Sequence, residues 1–522
     1  MTSHKQKLDD NLQSPLLLPV ETNTGEEHVQ PPLEMLSVDQ MLTKYCGEFG
    51  FWQFKHFVLT CMAWALDAIH TMVMIFADRE PAWTCQPGSS CKGSEKTVCE
   101  LQPGSWQWDD SKGWSTMAEW GLVCGQKYKV GLVQALFFCG SMIGGGIFGH
   151  LSDSKFGRKR SLMIVCIMSM TFSLLTSISP TYWTYVLLRL LTGFSTGGIG
   201  VCAFVLATEP IGPTKRGTVG MSSFYFYSIG IALVSGIAYI FQSWRFLYIA
   251  SSIPSIIFLV FMLPFISESP RWYLVRGRTN EAMKIMHNIA KLNGKHLPQN
   301  VYLVLDKEPK SCCDQENIEI TETKEIVVAG SIINVIKSPT TRTRLFLLMG
   351  INFTTWVVYY GLNLNATNIT TNIYLGVLLN SLAEMPAYLV TAILIERFGR
   401  KPLGVGTQWF SAIFCIIGSC FMGSHGNWIK VLCSVLGVFG MAGTYNLIYV
   451  YAAELFPTVI RNTAIGCARQ AGQAGAILVP FVVVMINAGH SFMVFGACGI
   501  VGGILVFFLP ETLNKPLYDT MN

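Results

Sequence analysis

Twelve mostly apolar runs, each near 20 residues long, constrain this chain more than any other feature. A helix needs about 20 such residues to cross the ~30 Å hydrocarbon core of a bilayer. The runs cover 57–76, 130–148, 161–178, 182–208, 218–241 and 246–266, then, after a polar interval, 345–362, 373–395, 403–422, 428–452, 464–486 and 491–509. With 51% of residues hydrophobic and 13% charged, a disordered chain is ruled out and a soluble multidomain enzyme argued against. The reading is an all-α membrane protein of twelve transmembrane helices in two six-helix bundles, 51–266 and 344–510. Around them lie tails at 1–50 and 511–522, a loop at 78–129 and an interval at 267–343, where Met283, Met286, Ile289 and Ala290 space a short amphipathic helix.

Basic residues favour cytosolic loops. Lys155, Arg158, Lys159 and Arg160 follow span 2, Lys215 and Arg216 span 4, Arg397, Arg400 and Lys401 span 8, and Arg461 span 10. Loops after spans 3, 7 and 11 carry none, while the long loop after span 1 scatters several. Both termini are therefore expected in the cytosol, and residues 1–50 read as a polar tail without a signal peptide. A net charge of +5, scattered along the chain, argues against a nucleic-acid partner. Cys85, Cys91, Cys99 and Cys124 in the long loop suggest two disulfides, with three pairings open. Asn365 and Asn368 begin sequons after span 7 and are candidate glycan acceptors.

The halves echo one another. Phe156-Gly-Arg-Lys159 after span 2 returns as Phe398-Gly-Arg-Lys401 after span 8, an offset of 242 residues. Glu209 and Arg216 near the end of span 4 return as Glu454 and Arg461, offset by 245. Two parallel six-helix repeats describe a two-lobed carrier with a mid-membrane site between lobes.

On these residues the chain resembles the major facilitator superfamily, and within it the organic cation/anion/carnitine transporters, plant members in particular. The resemblance runs from about residue 45 to 512. It is carried by the cysteine-bearing loop, Gly149-His-Leu-Ser-Asp153 with Gly157-Arg-Lys159, Arg189-Leu-Leu-Thr-Gly193, Glu268-Ser-Pro-Arg-Trp272 and Ala453-Glu-Leu-Phe-Pro-Thr458. Asp153 and Gly157 stand one residue further apart than in the general superfamily loop. The resemblance implies the major facilitator fold and a gating role for the charges at the cytosolic ends of the helices.

Those charges are Asp153, Arg158, Glu209, Arg216, Glu268 and Arg271, echoed by Glu396, Arg400, Glu454 and Arg461. Acid–base pairs across the cytosolic mouth would act as latches that break when the lobes rock. Ionisable residues inside spans are few and should face a partner or a wet cavity. Glu384, before Pro386 in span 8, and Asp67 in span 1 are candidate cation contacts, and in cation-carrying relatives the position of Glu384 serves the substrate path. Arg189 is expected to pair with Asp67 or with backbone carbonyls. Arg469 either snorkels to the cytosolic surface or joins Glu384 to suit a zwitterion. Relatives that move cations tend to have Asp, and those that move anions or zwitterions Arg, where this chain has Gln473.

Aromatic faces recognise quaternary ammonium groups, and Tyr225, Tyr227, Tyr359, Tyr360, Tyr445 and Tyr449 lie inside spans. The function read from all this is secondary transport, by alternating access, of small organic cations or zwitterions such as carnitine. A proton or sodium ion is a further partner, and the membrane is plasma or vacuolar, since Asp10 with Leu16-Leu17 resembles an acidic dileucine signal. No cofactor, metal site or enzymatic activity is implied. The alternatives are an organic-anion or sugar porter of the same superfamily, or a polytopic channel or receptor.

Overall fold

The computed structural model describes residues 34–87, 98–102, 104–109, 114–154, 156–298, 300–304, 339–366, 372–421, 427–456 and 458–513. Among them, 12 helices are long and apolar enough to cross a membrane. The first half contains α1 (Phe51–Ala77), α2 (Tyr128–Asp153), α3 (Arg158–Ser177), α4 (Tyr182–Thr208), α5 (Pro213–Ile240) and α6 (Trp244–Phe265). The second contains α7 (Pro339–Leu364), α8 (Ile373–Phe398), α9 (Arg400–Phe421), α10 (Asn427–Leu455), α11 (Thr458–Met485) and α12 (Ala488–Phe507).

Several helices outrun their apolar segments, because hydropathy marks what lipid covers and not where the helix stops. α1 begins six residues before its apolar run, where the Gln53 side chain donates to the Gly47 carbonyl (2.8 Å) and accepts from Gly50 N–H (3.0 Å). Thr181 caps α4 and Asn372 caps α8 by accepting backbone N–H groups of Thr184 and Leu375. The two Phe-Gly-Arg-Lys turns share one conformation, with Gly157 at φ 86° and Gly399 at φ 88°, where glycine alone is comfortable.

Glycines bring α2 and α4 almost backbone to backbone. A Cβ at Gly140 would fall 2.2 Å from the Leu190 carbonyl oxygen, and one at Gly144 would fall 1.8 Å from that of Phe194. Gly193 and Gly197 answer from the other side, with Phe137 O and Ser141 O each 2.0 Å away. Small faces of this kind let helices meet through dispersion contacts in lipid. The halves meet along α2–α11 and α5–α8.

Short strands lie outside the bundles: β1 (Glu34–Leu36), β2 (Trp83–Cys85), β3 (Trp106–Trp108) and β4 (Val301–Leu303). β1 pairs in parallel with β4 and β2 antiparallel with β3. The segment 34–50, expected as part of a polar tail, instead folds against the interval. The amphipathic helix Thr279–Leu292 turns Ala282, Met286, Ile289 and Ala290 onto Leu36, Met41, Leu42 and Cys46. Its apolar face is therefore covered by this chain.

The 78–129 loop docks on the first half. Glu119 accepts from Trp244 Nε1 (2.7 Å) and pairs with Arg245 (2.5 Å), and Trp120 packs on Tyr185 and Trp244. Cys99 and Cys124 form a disulfide. Cys85 is disulfide-bonded too, and Cys91 lies outside the described residues. Asn365 corrects an expectation: it is fully buried and its amide donates to Ser491 Oγ (3.2 Å), so it cannot carry a glycan in this fold. Asn368 lies outside the described residues.

Candidate translocation site

Midway along the helices, both halves line one chamber of about 30 Å³. That volume holds a water or two and no organic ion. Its walls are Trp64, Asp67 and Thr71 of α1, Phe137, Phe138 and Ser141 of α2, Phe224 and Tyr227 of α5, Trp356, Tyr359 and Tyr360 of α7, Tyr388, Tyr445, Arg469 and Gln473. The rings form a continuous wall: Trp64 lies edge-on to Phe224 (5.6 Å), Phe224 to Tyr445 (5.2 Å), and Tyr445 stacks on Tyr359 (5.9 Å).

Asp67 and Arg469 face this chamber from opposite halves. A Cβ at Gly200 would sit 2.9 Å from Arg469 Nη2 and 3.3 Å from Asp67 Oδ2, so the two charges are at most about 6 Å apart. Among the described residues no ion pair joins them. Trp64 Nε1 and Gln473 Oε1 are buried without a hydrogen-bond partner among the described residues, although Gln473 Nε2 donates to Ser141 Oγ (3.2 Å) across the halves. Arg469 thus does not snorkel to the surface.

Other expected contacts fall elsewhere. Glu384 is 0% exposed and is withdrawn behind the wall. Its carboxylate accepts from Tyr359 (2.7 Å), Tyr388 (3.3 Å) and Ser228 of the opposite half. Tyr449 stands behind Tyr445 (3.5 Å between hydroxyls), and Tyr225 packs on Tyr388 outside the chamber. Arg189 takes the carbonyl alternative, donating twice to His70 O (3.3 and 3.2 Å) with its guanidinium over Phe137. The sequence reading missed Trp64, Trp356 and Tyr388. The signal was available, since each stands one helical turn from a residue it did single out, namely Asp67, Tyr359 or Tyr360, and Glu384.

A vestibule of about 650 Å³ continues from Ser141, Arg469 and Gln473 along Gly145, Gly146, Gly149, Met349, Thr463 and Gly466. These residues lie toward the face that carries the Phe-Gly-Arg-Lys turns. At the opposite face, Tyr374 at the start of α8 is clasped by the first half. Arg79 donates to its hydroxyl (2.9 Å), Phe76 stacks on its ring (5.6 Å), Tyr239 meets it edge-on, and Ser235 donates to its carbonyl (2.6 Å). Among the described residues, the chamber therefore adjoins an open vestibule toward one face and is closed off by this clasp toward the other.

The charges expected to latch the mouth pair within each half. Arg158 bridges Asp153 (3.0 Å) and Glu209 (3.1 Å), while Glu268 accepts the backbone N–H groups of Arg158 (3.0 Å) and Lys159 (3.1 Å). Arg400 pairs with Glu454 (2.8 Å), while Glu511 accepts from Arg400 N–H (3.0 Å) and Lys401 N–H (2.9 Å). Glu511, unnoticed in the sequence, is thus the repeat of Glu268 at an offset of 243. The pair differ electrostatically. Burial pushes the Glu268 carboxyl above the usual range against its backbone donors, whereas at Glu511 four backbone N–H groups outweigh burial and hold it below.

Arg216 and Arg271 both reach Asp39, of the segment folded with the interval, and Arg216 and Arg461 each donate to the carbonyl five residues back. Glu396 is exposed and makes no ion pair among the described residues. Its loop is one residue shorter than that of Asp153.

Two six-helix repeats around a central chamber open to one side define a membrane transporter of the major facilitator type. The chain belongs to that superfamily, matching the sugar (and other) transporter model over residues 93–521, and within it to the organic cation/anion/carnitine transporters. It is 58% identical over 525 residues to organic cation/carnitine transporter 4 of Arabidopsis thaliana, covering 100% of this chain and 96% of that protein. To the organic cation transporter protein of Drosophila melanogaster it is 28% identical, covering 93% and 94%. The solved xylose transporter XylE of E. coli, partially occluded and inward open, aligns with a TM-score of 0.62 at 17% identity over 88% of this chain and 98% of that one. That last likeness concerns the fold alone.

Proposed function

We propose that this transporter moves small organic cations or zwitterions, carnitine-like compounds foremost, by alternating access. The observation that carries this reading is the aromatic chamber in which Asp67 and Arg469 face each other without pairing. Each aromatic face offers a quaternary ammonium about 0.5–2 kcal/mol, Asp67 supplies its counter-charge, and Arg469 suits a carboxylate. Cargo enters from the vestibule and the rings part around it, since the chamber as it stands is too small. The Tyr374 clasp opens, and the vestibule closes, in the other state. The clusters around Arg158 and Arg400 keep each half rigid while it rocks, and the face bearing them is cytosolic. The membrane is that of the cell surface or the vacuole.

The test is counterflow: labelled L-carnitine or tetraethylammonium entering proteoliposomes preloaded with unlabelled compound. Saturable, transiently uphill label uptake supports the reading, and equal entry into empty and preloaded vesicles rejects it in favour of a channel.

A further inference from the structure

We propose that Glu384 binds and releases one proton per cycle, so that a proton travels with the cargo. This rests on the carrier reading above and adds its coupling ion. Glu384 has no exposed surface, lies mid-helix, and holds three hydroxyl donors, from Tyr359, Tyr388 and Ser228. Among the described residues its partners include no cation, the remaining one being the Asn363 amide. The titratable groups presented to it, among the described residues, are tyrosines only: Tyr225 and Tyr227 from α5, Tyr359 and Tyr360 from α7, Tyr388 from α8 itself, Tyr445 and Tyr449 from α10. The charged residues of the chamber, Asp67 and Arg469, face one another instead.

A carboxylate without a counter-cation in the middle of a bilayer is costly, and such residues commonly belong to proton pathways. Both protonation states can be satisfied here. The anion accepts all three hydroxyls. The acid donates its own O–H to Ser228 Oγ and still accepts from the two tyrosines. Ser228 belongs to α5 and the tyrosines to the second half, so any motion that parts α5 from α8 withdraws one donor and biases the proton equilibrium. Tyr359 and Tyr388 also line the chamber, which leaves a single hydroxyl layer between the chamber and the carboxylate. The step is carboxylate plus hydronium giving carboxyl plus water at one face, reversed at the other. Because Glu384 stands behind the wall, proton and cargo are bound together, which makes them travel in the same direction.

The full-length protein in proteoliposomes, with membrane potential clamped at zero and the outside one pH unit more acidic, tests this with labelled L-carnitine. Wild type is expected to accumulate carnitine about tenfold, the value for one proton per cargo, and carnitine entry alone should acidify a trapped pH dye. Glu384→Gln is expected to reach only equal concentrations while counterflow without a gradient persists. Intact wild-type counterflow with no accumulation and no dye response overturns the inference and leaves the carrier reading standing, as does gradient-driven accumulation by Glu384→Gln. Absent wild-type counterflow overturns both.

Discussion

Replacing Asp67 with Asn removes one charge from the chamber and nearly nothing of its shape. Asp67 and Arg469 lie at most about 6 Å apart, so cargo that touches both has to part them, and a quaternary nitrogen inside its alkyl shell then stands roughly 5 Å from Asp67. At an effective dielectric near 20, unit charges at that distance interact by about 3 kcal/mol. Lost on substitution, that corresponds to a weakening of about 100-fold in affinity. Tetraethylammonium should suffer the whole effect. L-Carnitine should suffer less, because its carboxylate keeps Arg469. Half-saturation of counterflow by each compound, at zero potential and fixed pH, measures both losses. An Asp67→Asn carrier whose tetraethylammonium half-saturation moves by less than threefold would refute the placement of the cargo between these two charges.

Three further outcomes are expected. Tyr374→Ala removes the hydrogen bond from Arg79, worth about 1.5–3 kcal/mol for a charged donor, and should raise labelling of Thr71→Cys by an impermeant maleimide from the sealed face by about tenfold or more. An unchanged rate would show that the clasp does not hold that face shut. Gly144→Ala forces a Cβ to 1.8 Å from the Phe194 carbonyl, where only backbone can give way, and should cost about 1–3 kcal/mol in detergent-solubilised stability; an undiminished melting temperature would contradict the close α2–α4 approach. Glu268 and Glu511 should titrate with opposite signs. Glu268, raised by burial, contributes stability that is present at low pH and lost as pH rises through its elevated value. Glu511, held low by backbone donors despite burial, contributes stability lost as pH falls through its depressed value. As pH increases from about 4 to 7, the melting temperature of Glu268→Gln should gain on wild type and that of Glu511→Gln should fall behind. Parallel slopes would show that the two turns are electrostatically alike.

The helices were legible because lipid imposes a coarse requirement, apolar length, that needs no knowledge of neighbours. The repeat was legible wherever it conserved a rare string such as Phe-Gly-Arg-Lys. It was hidden at Glu268 and Glu511, where a carboxylate meets backbone N–H groups more than 100 residues away and the flanking residues differ. Within the site, the sequence located the chamber's charges and part of its walls, Tyr227, Tyr359, Tyr360, Tyr445 and Gln473, but not Trp64, Trp356 or Tyr388. Glu384 looked like a cargo contact because a mid-span carboxylate demands a partner. That the partners would be Ser228, Tyr359 and Tyr388, and that they would hide it, depends on how three helices rotate about their axes. The pairing of Arg158 within its own half, rather than across the mouth, is likewise a matter of reach between helix ends that charge and spacing leave open. The segment 34–50 was misread for a simpler reason. Val38, Met41, Leu42, Tyr45, Cys46 and Phe49 repeat at helical spacing, but the run is too short to cross a bilayer, and it acquires a surface to cover only once Thr279–Leu292 is in place.

The two described extremities are moored to different bodies. Glu34–Leu36 is stitched by strand pairing to Val301–Leu303, and Asp39 is tied to Arg216 of the first bundle and to Arg271 just beyond it, whereas Glu511 and Thr512 are fastened to Arg400 and Glu454 of the second. Each end therefore rides its own bundle like a pointer on a balance arm. Dyes fixed near residues 34 and 513 would register the see-saw as a change in separation, with no label anywhere in the bilayer.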